Sequence, residues 1–306
     1  MAARQGVRSR MKTLLCLGLG YCGQRFVALH GGLFARRLAT SRYGTAREGV
    51  ETLRFDGTAS PELLDAARTA DVVLATAAPG EEGDPFLRSL AEALAGGRGP
   101  LIYLSTIGVY GDTGGAWIDE DAPPSAVSAR ARRRVAAEAQ WRALGERAGR
   151  PVAILRLGGI YGPGRNALID VADGSARCIE RAGQMFNRIH VDDIAGAIRA
   201  AAEQGFDGIL NVVDDEPAPA CAPVRFAAGL LGVEGPAPEP FEVASATMSA
   251  MALSFWADNR RVRNARLHAL LGGNLAYPTY RDGLTALLGQ GEAAALDPRR
   301  SGSRPR

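Results

Sequence analysis

Lysine is almost missing from this chain. Of the 36 basic residues only Lys12 is a lysine, and the rest are arginines. A GxxxxGK[ST] phosphate loop, a Schiff-base enzyme with an interior lysine and a YxxxK proton-transfer pair are therefore excluded. Histidine is scarce as well, with His30, His190 and His268 alone. The four cysteines, Cys16, Cys22, Cys178 and Cys221, show neither CxxC nor Cys/His ligand spacing. No metal site is expected, and such scattered thiols fit a reducing cytoplasm better than a disulfide framework. No GxSxG nucleophile elbow occurs, and no window approaches about 18 uncharged apolar residues, so no membrane helix is expected.

The formal charge of +3 comes from the ends. Arg4, Arg8, Arg10 and Lys12 face no acid at the start, and Arg299, Arg300, Arg304 and Arg306 outnumber Asp297 at the finish. The body between is left near −4, which argues against a folded nucleic-acid face. With 306 residues, 46% of them hydrophobic, the chain can bury one large α/β core with a smaller appendage. Met11 could serve as the start, and residues 1–11 and 289–306 read as a disordered leader and tail.

Apolar runs alternate with helical patterns, the order of βαβ units in a parallel sheet. Strands are expected at 13–20, 36–41, 51–55, 71–77, 100–106, 152–158 and 208–214. Helices are expected at 21–30, 60–68, 84–95, 127–147 and 193–203. Ser60 with Pro61 reads as one helix start and Asp192 as another.

Gly18, Gly20 and Gly23 form G-x-G-x-x-G, with Tyr21 and Cys22 inside it, where the first strand meets the first helix. Among 38 glycines the bare pattern is weak, but this position makes it a dinucleotide-binding turn, with phosphates at the helix N-terminus. An acid at the end of the second strand would select NAD by binding the ribose 2′-hydroxyl. Thr40, Ser41 and Arg42 stand there instead and suit a 2′-phosphate, so NADPH is expected over NADH, with NAD as the alternative.

"YLSTIGVYGDTGG" (103–115), "RLGGIYGPGR" (156–165), "IHVDD" (189–193) and "LNVVDDEP" (210–217) follow in order. With "GLGYCG" they resemble the extended short-chain dehydrogenase/reductase family, which holds the NAD-dependent epimerases and dehydratases. Residues 258–284 resemble an atypical bacterial branch of it. The resemblance implies a Rossmann-type doubly wound α/β sheet over 12–162, completed by 189–215. It also implies a small substrate domain formed by 163–188 and 216–288. Thr106 matches the active-site hydroxyl, Thr76, Ala77, Ala78 and Pro79 the lining of the nicotinamide ribose, and Asp56 a position near the adenine. Arg165 and His190 match positions facing the substrate; a salt bridge and a satisfied core histidine are their alternatives. A homodimer is allowed.

The family's proton-transfer Tyr and Lys are four apart on the helix that here reads "SARARRRVAAEAQW" (128–141). Counting back from Glu138 puts Arg134 at the lysine position and Arg130 at the tyrosine position. A guanidinium stays protonated and cannot be a general acid or base. Proton transfer would then fall to Tyr110, to Thr106 through water, to His190 or to the substrate. Arg130 and Arg134, at i and i+4, share a face that could clamp an anion, while Arg132 and Arg133 are expected in solvent. The reading is a cytoplasmic NADPH-dependent oxidoreductase acting on a small anionic or nucleotide-linked carbonyl compound. A non-catalytic NAD(P)-binding sensor or scaffold and a sugar-nucleotide epimerase or dehydratase stay open as alternatives.

Overall fold

Seven apolar runs become the seven strands of one parallel sheet in the computed structural model, which describes residues 11–293. They are β1 (Met11–Leu17), β2 (Phe34–Ser41), β3 (Glu51–Arg54), β4 (Val72–Ala75), β5 (Leu101–Thr106), β6 (Val152–Leu157) and β7 (Gly208–Val212). The order across the sheet is β7-β6-β5-β4-β1-β2-β3. β4 and β6 are buried along their whole length, as strands covered on both faces must be, and this is why they read as unbroken apolar runs. The fold is of Rossmann type, as expected. The leader before Met11 and the tail after Ala293 lie outside the described residues.

The expected helices become α1 (Tyr21–His30), α2 (Pro61–Thr69), α3 (Leu87–Ala95), α4 (Ala129–Ala148) and α5 (Val191–Gln204). Ser60 caps α2 by accepting from the Leu63 N–H, with Pro61 in the first turn. The start of α5 differs from expectation: Asp192 and Asp193 lie inside its first turn, where carboxylates favour the helix dipole. Asp193 accepts the N–H groups of Ala276 (2.6 Å) and Tyr277 (3.1 Å), and burial pushes its carboxyl up to about 6.

Contacts divide the described chain into two units. The first runs up to Leu104 and adds Ala136–Ile154 and Ile198–Gly208; the second holds Ser105–Val135, Leu155–Ala197 and everything from Ile209 on. In the second, short parallel pairs join Gly159–Tyr161 to Arg188–His190 and Cys178–Glu180 to Pro238–Pro240. Cys178 and Cys221 are joined there in a disulfide, with Cα atoms 4.5 Å apart, whereas Cys16 and Cys22 are buried and form no disulfide. This corrects the expectation of scattered thiols: two cysteines 43 residues apart meet only through tertiary folding.

One buried contact of the first unit ties α4 to the start of α3. The Trp141 indole, fully buried and stacked on Tyr103 at 5.8 Å, donates to Asp84 Oδ2 (2.9 Å). Asp84 Oδ1 accepts the Phe86 and Leu87 N–H groups. Replacing Asp84 by alanine orphans the indole N–H and removes a helix-start acceptor. Asp84→Ala should therefore lose about 2–4 kcal/mol in urea unfolding, whereas an exposed control, Glu81→Ala, should stay within about 0.5 kcal/mol.

Candidate functional site

Each unit carries its own cavity. The first unit's is about 780 Å³, and its lining comes from the carboxyl ends of β1, β2, β3 and β4, where parallel sheets bind ligands. Gly18 adopts φ +84°, and a Cβ there would lie 3.2 Å from Thr76 Oγ1. Its N–H donates to Thr40 Oγ1 (2.7 Å), and its carbonyl accepts from Thr76 Oγ1 (3.1 Å). Gly20 caps α1 without any side-chain hydrogen bond, and nothing lies within 4 Å of where its Cβ would stand. The start of α1, behind Gly20, thus lies beside the cavity with no capping side chain and no acid in its first turn.

Ser41, Arg42, Asp56, Thr76, Ala77 and Ala78 also line this space. Asp56 is the one carboxylate among the lining residues, and it pairs with Arg54 at 3.3 Å. Arg47 and Phe86 line it too, which the sequence did not reveal, because they lie in segments without a motif. Tyr21, Cys22, Gly23 and Pro79 do not line it. Gly23 is buried instead, and a Cβ there would stand 3.3 Å from Leu19 Cδ1. Two arginines, a helix N-terminus without a capping side chain and a single paired acid make this a cavity for a large anion.

The second unit's cavity is about 450 Å³. Thr106, at the end of β5, lines it, and its Oγ1 accepts the Gly108 N–H at 3.1 Å while keeping its own proton to donate. Arg130 enters from the start of α4 with its guanidinium 4.7 Å above the Phe255 ring. Arg165 follows a tight turn in which Gly164 takes φ +74° and the Gly162 and Arg165 backbones bond each other at 3.0 Å. Among the described residues neither guanidinium meets an acid. The lining's carboxylate, Asp258, is held by Arg260 at 2.9 Å, and Arg260 also donates to the Gly111 carbonyl.

Other expected residues stand elsewhere. Tyr110 is 2% exposed, its hydroxyl donates to Asn211 Oδ1 (2.7 Å), and the Arg156 guanidinium lies 4.6 Å from its ring. Burial raises its pKa. His190 is 1% exposed between Tyr161 and Tyr277, at 5.1 and 4.0 Å, and its Nδ1 accepts the Asp192 N–H. Both belong to the core, not to the cavity lining. Arg134 is half-buried and outside the lining, so the arginine pair on α4 is split; Arg133 is half-buried too, and Arg132, which is exposed, donates to the Val127 carbonyl. Tyr161 does line the cavity, but its hydroxyl donates to the Thr279 carbonyl (3.3 Å) and burial pushes its pKa well above the usual phenol range. The cavity can therefore bind an anion and offer a hydroxyl to an oxygen, and its lining has no imidazole or lysine.

The comparisons with known proteins agree with this layout. The model of the NAD-dependent epimerase/dehydratase family matches residues 61–212. A 3-diazoavenalumate denitrifying reductase from a Streptomyces species is 33% identical over 214 residues, covering 66% of this chain and 69% of that protein. Protein YeeZ of Escherichia coli K12 is 32% identical over 257 residues, covering 74% and 86%. The chain belongs to the NAD-dependent epimerase/dehydratase family. A solved family-like structure, a conserved protein of unknown function from Silicibacter pomeroyi, superposes with a TM-score of 0.80 at 38% identity, over 92% of this chain and 99% of that one. Within this family fold, the resemblance drawn from the five ordered motifs holds.

Tyr110→Phe separates a core tyrosine from a cavity residue. It leaves Asn211 Oδ1 without its donor, so unfolding free energy should fall by about 1–3 kcal/mol, measured by urea titration. A variant as stable as the parent would mean that the phenol is not held in the core.

Proposed function

We propose that this protein is an NADPH-dependent reductase of a small anionic carbonyl compound. The observation that carries the reading is the first unit's cavity. A glycine turn without side chains opens onto the start of α1, which has no capping side chain, and Arg42 and Arg47 outnumber the one lining acid, Asp56, which is paired with Arg54. A nicotinamide dinucleotide fits this donor set and, when bound, supplies the hydride. Gly18, Gly20 and the start of α1 would hold its pyrophosphate, Arg42 its 2′-phosphate, and Thr76 to Ala78 its ribose.

In the second unit, Arg130 and Arg165 hold the substrate's anionic group, and Thr106 donates its hydroxyl proton in a hydrogen bond to the reacting oxygen. That bond stabilises charge as it develops on the oxygen. The proton that completes reduction comes from solvent, because no lining side chain exchanges one near neutrality. The name of the Streptomyces relative, a reductase, supports reduction over epimerisation. Epimerisation needs a positioned base, and the lining offers none beyond the paired Asp258.

The lack of such a base favours one second reading, a protein that binds the dinucleotide without turning it over. Fluorescence titration and 340 nm absorbance separate the two. NADPH should bind about tenfold more tightly than NADH, and Arg42→Ala should abolish most of that difference while leaving NADH affinity nearly unchanged. Thr106→Val should then lower kcat by about 100-fold with little change in NADPH affinity. Equal affinity for both dinucleotides, unmoved by Arg42→Ala, rules out the NADPH assignment. Tight NADPH binding with no oxidation across a panel of keto acids favours the second reading.

A further inference from the structure

The hydrogen-bonding side chains around the second unit's cavity are almost all committed to the protein itself. Asn187 uses both ends, accepting the Val262 N–H at 2.8 Å and donating to the Arg260 carbonyl at 3.1 Å. Asp258 is taken by Arg260. Arg188 is spent on the carbonyls of Phe186, Ala218 and Pro219, and Tyr161 on that of Thr279. Ser128 accepts the Ala131 N–H at the start of α4, as Thr106 accepts that of Gly108.

Beside the hydroxyl protons of Thr106 and Ser128, what is left to read a ligand is of two kinds. One is charge, in the guanidiniums of Arg130 and Arg165. The other is flat apolar surface. Phe255 is 52% exposed beneath Arg130, with Ile160 and Met185 also in the lining, whereas Trp256 is buried, edge-on to Phe186 and stacked on Phe241, and backs this surface. A polyol placed here would give up water from each hydroxyl and find few free partners, which weakens binding for every hydroxyl buried. A planar aromatic body with one acid group loses nothing of that sort. Its ring meets aromatic rings and its acid meets guanidiniums.

We infer that this cavity takes an aromatic carboxylic acid, its carboxylate drawn to Arg130 and Arg165 and its ring laid against Phe255, and not a nucleotide sugar. The inference rests on the proposed reductase reading for its biological use, but binding of the acid stands or falls separately. Isothermal titration calorimetry at low ionic strength tests it, with trans-cinnamate, the uncharged cinnamyl alcohol and UDP-glucose as probes. Cinnamate should bind saturably, at least about tenfold more tightly than the alcohol and more tightly than UDP-glucose. Arg165→Gln and Arg130→Gln should each weaken cinnamate about tenfold and leave the alcohol unmoved, and Arg165→Lys should recover part of the loss. Both side chains are exposed at the cavity, so neither substitution threatens folding.

Tighter binding of UDP-glucose than of cinnamate, equal affinity for acid and alcohol, or a cinnamate affinity indifferent to both arginine variants overturns the inference. NADPH titrated into the same samples keeps the two ideas apart. Cinnamate binding without NADPH binding would sink the reductase reading and spare this one; the reverse would sink this one alone.

Discussion

The backbone at Gly18 is the constraint on which the first unit's site depends. Its N–H is held by the Thr40 hydroxyl and its carbonyl by the Thr76 hydroxyl, so the ends of β2, β1 and β4, neighbours in the sheet, are fastened at one point. The residues that follow each strand, Gly20, Arg42 and Ala77, consequently border one space. A side chain at Gly18 would have to adopt a left-handed backbone and press on Thr76 at 3.2 Å. The same turn leaves α1 without a capping side chain, and the positive end of the helix dipole is what an anionic cofactor would use. Thr40 therefore sets the turn and lines the cavity beside Ser41 and Arg42.

Much of this was legible because the sheet imposes it on the sequence. Strands covered on both faces must be apolar throughout, so β4, β5 and β6 stand out as runs bounded by polar or glycine residues. The start of α2 was legible because Ser60 and Pro61 do local work within four residues. The short pairs at Gly159–Tyr161 with Arg188–His190 and at Cys178–Glu180 with Pro238–Pro240 were not. Three residues carry no periodicity, and each partner lies tens of residues away. The Cys178–Cys221 bond was hidden for the same reason, since spacing along the chain says nothing when the contact is tertiary.

The candidate site was legible to the extent that it follows from strand ends. Thr106 and the glycine turn lie where the motif order puts them. His190 and Tyr110 also stand in motifs, but their surroundings claim them. A buried ring between two tyrosines and a buried phenol bonded to Asn211 do the work of a core. Phe255 and Trp256 were missed because their segment has no spacing that marks a binding role, and only the cavity shows which of their neighbours they face.

The near absence of lysine gives arginine two separate duties in the second unit, and sequence alone does not separate them. A guanidinium has five donors in a planar fork, so one buried arginine can satisfy several carbonyls at once. Arg260 and Arg188 do this, each stapling loop carbonyls beside the cavity. Arg130 and Arg165 have no acid opposite them, so their charge is available to a ligand. On α4 the same run of arginines supplies Arg130 to the cavity, puts Arg132 on a local carbonyl and buries Arg134 halfway. Charge that never titrates is suited to holding an acid and unsuited to delivering a proton. On the proposed reading, a cavity built this way selects its ligand by charge and flatness, and the proton of a reduction comes from the water that reaches it.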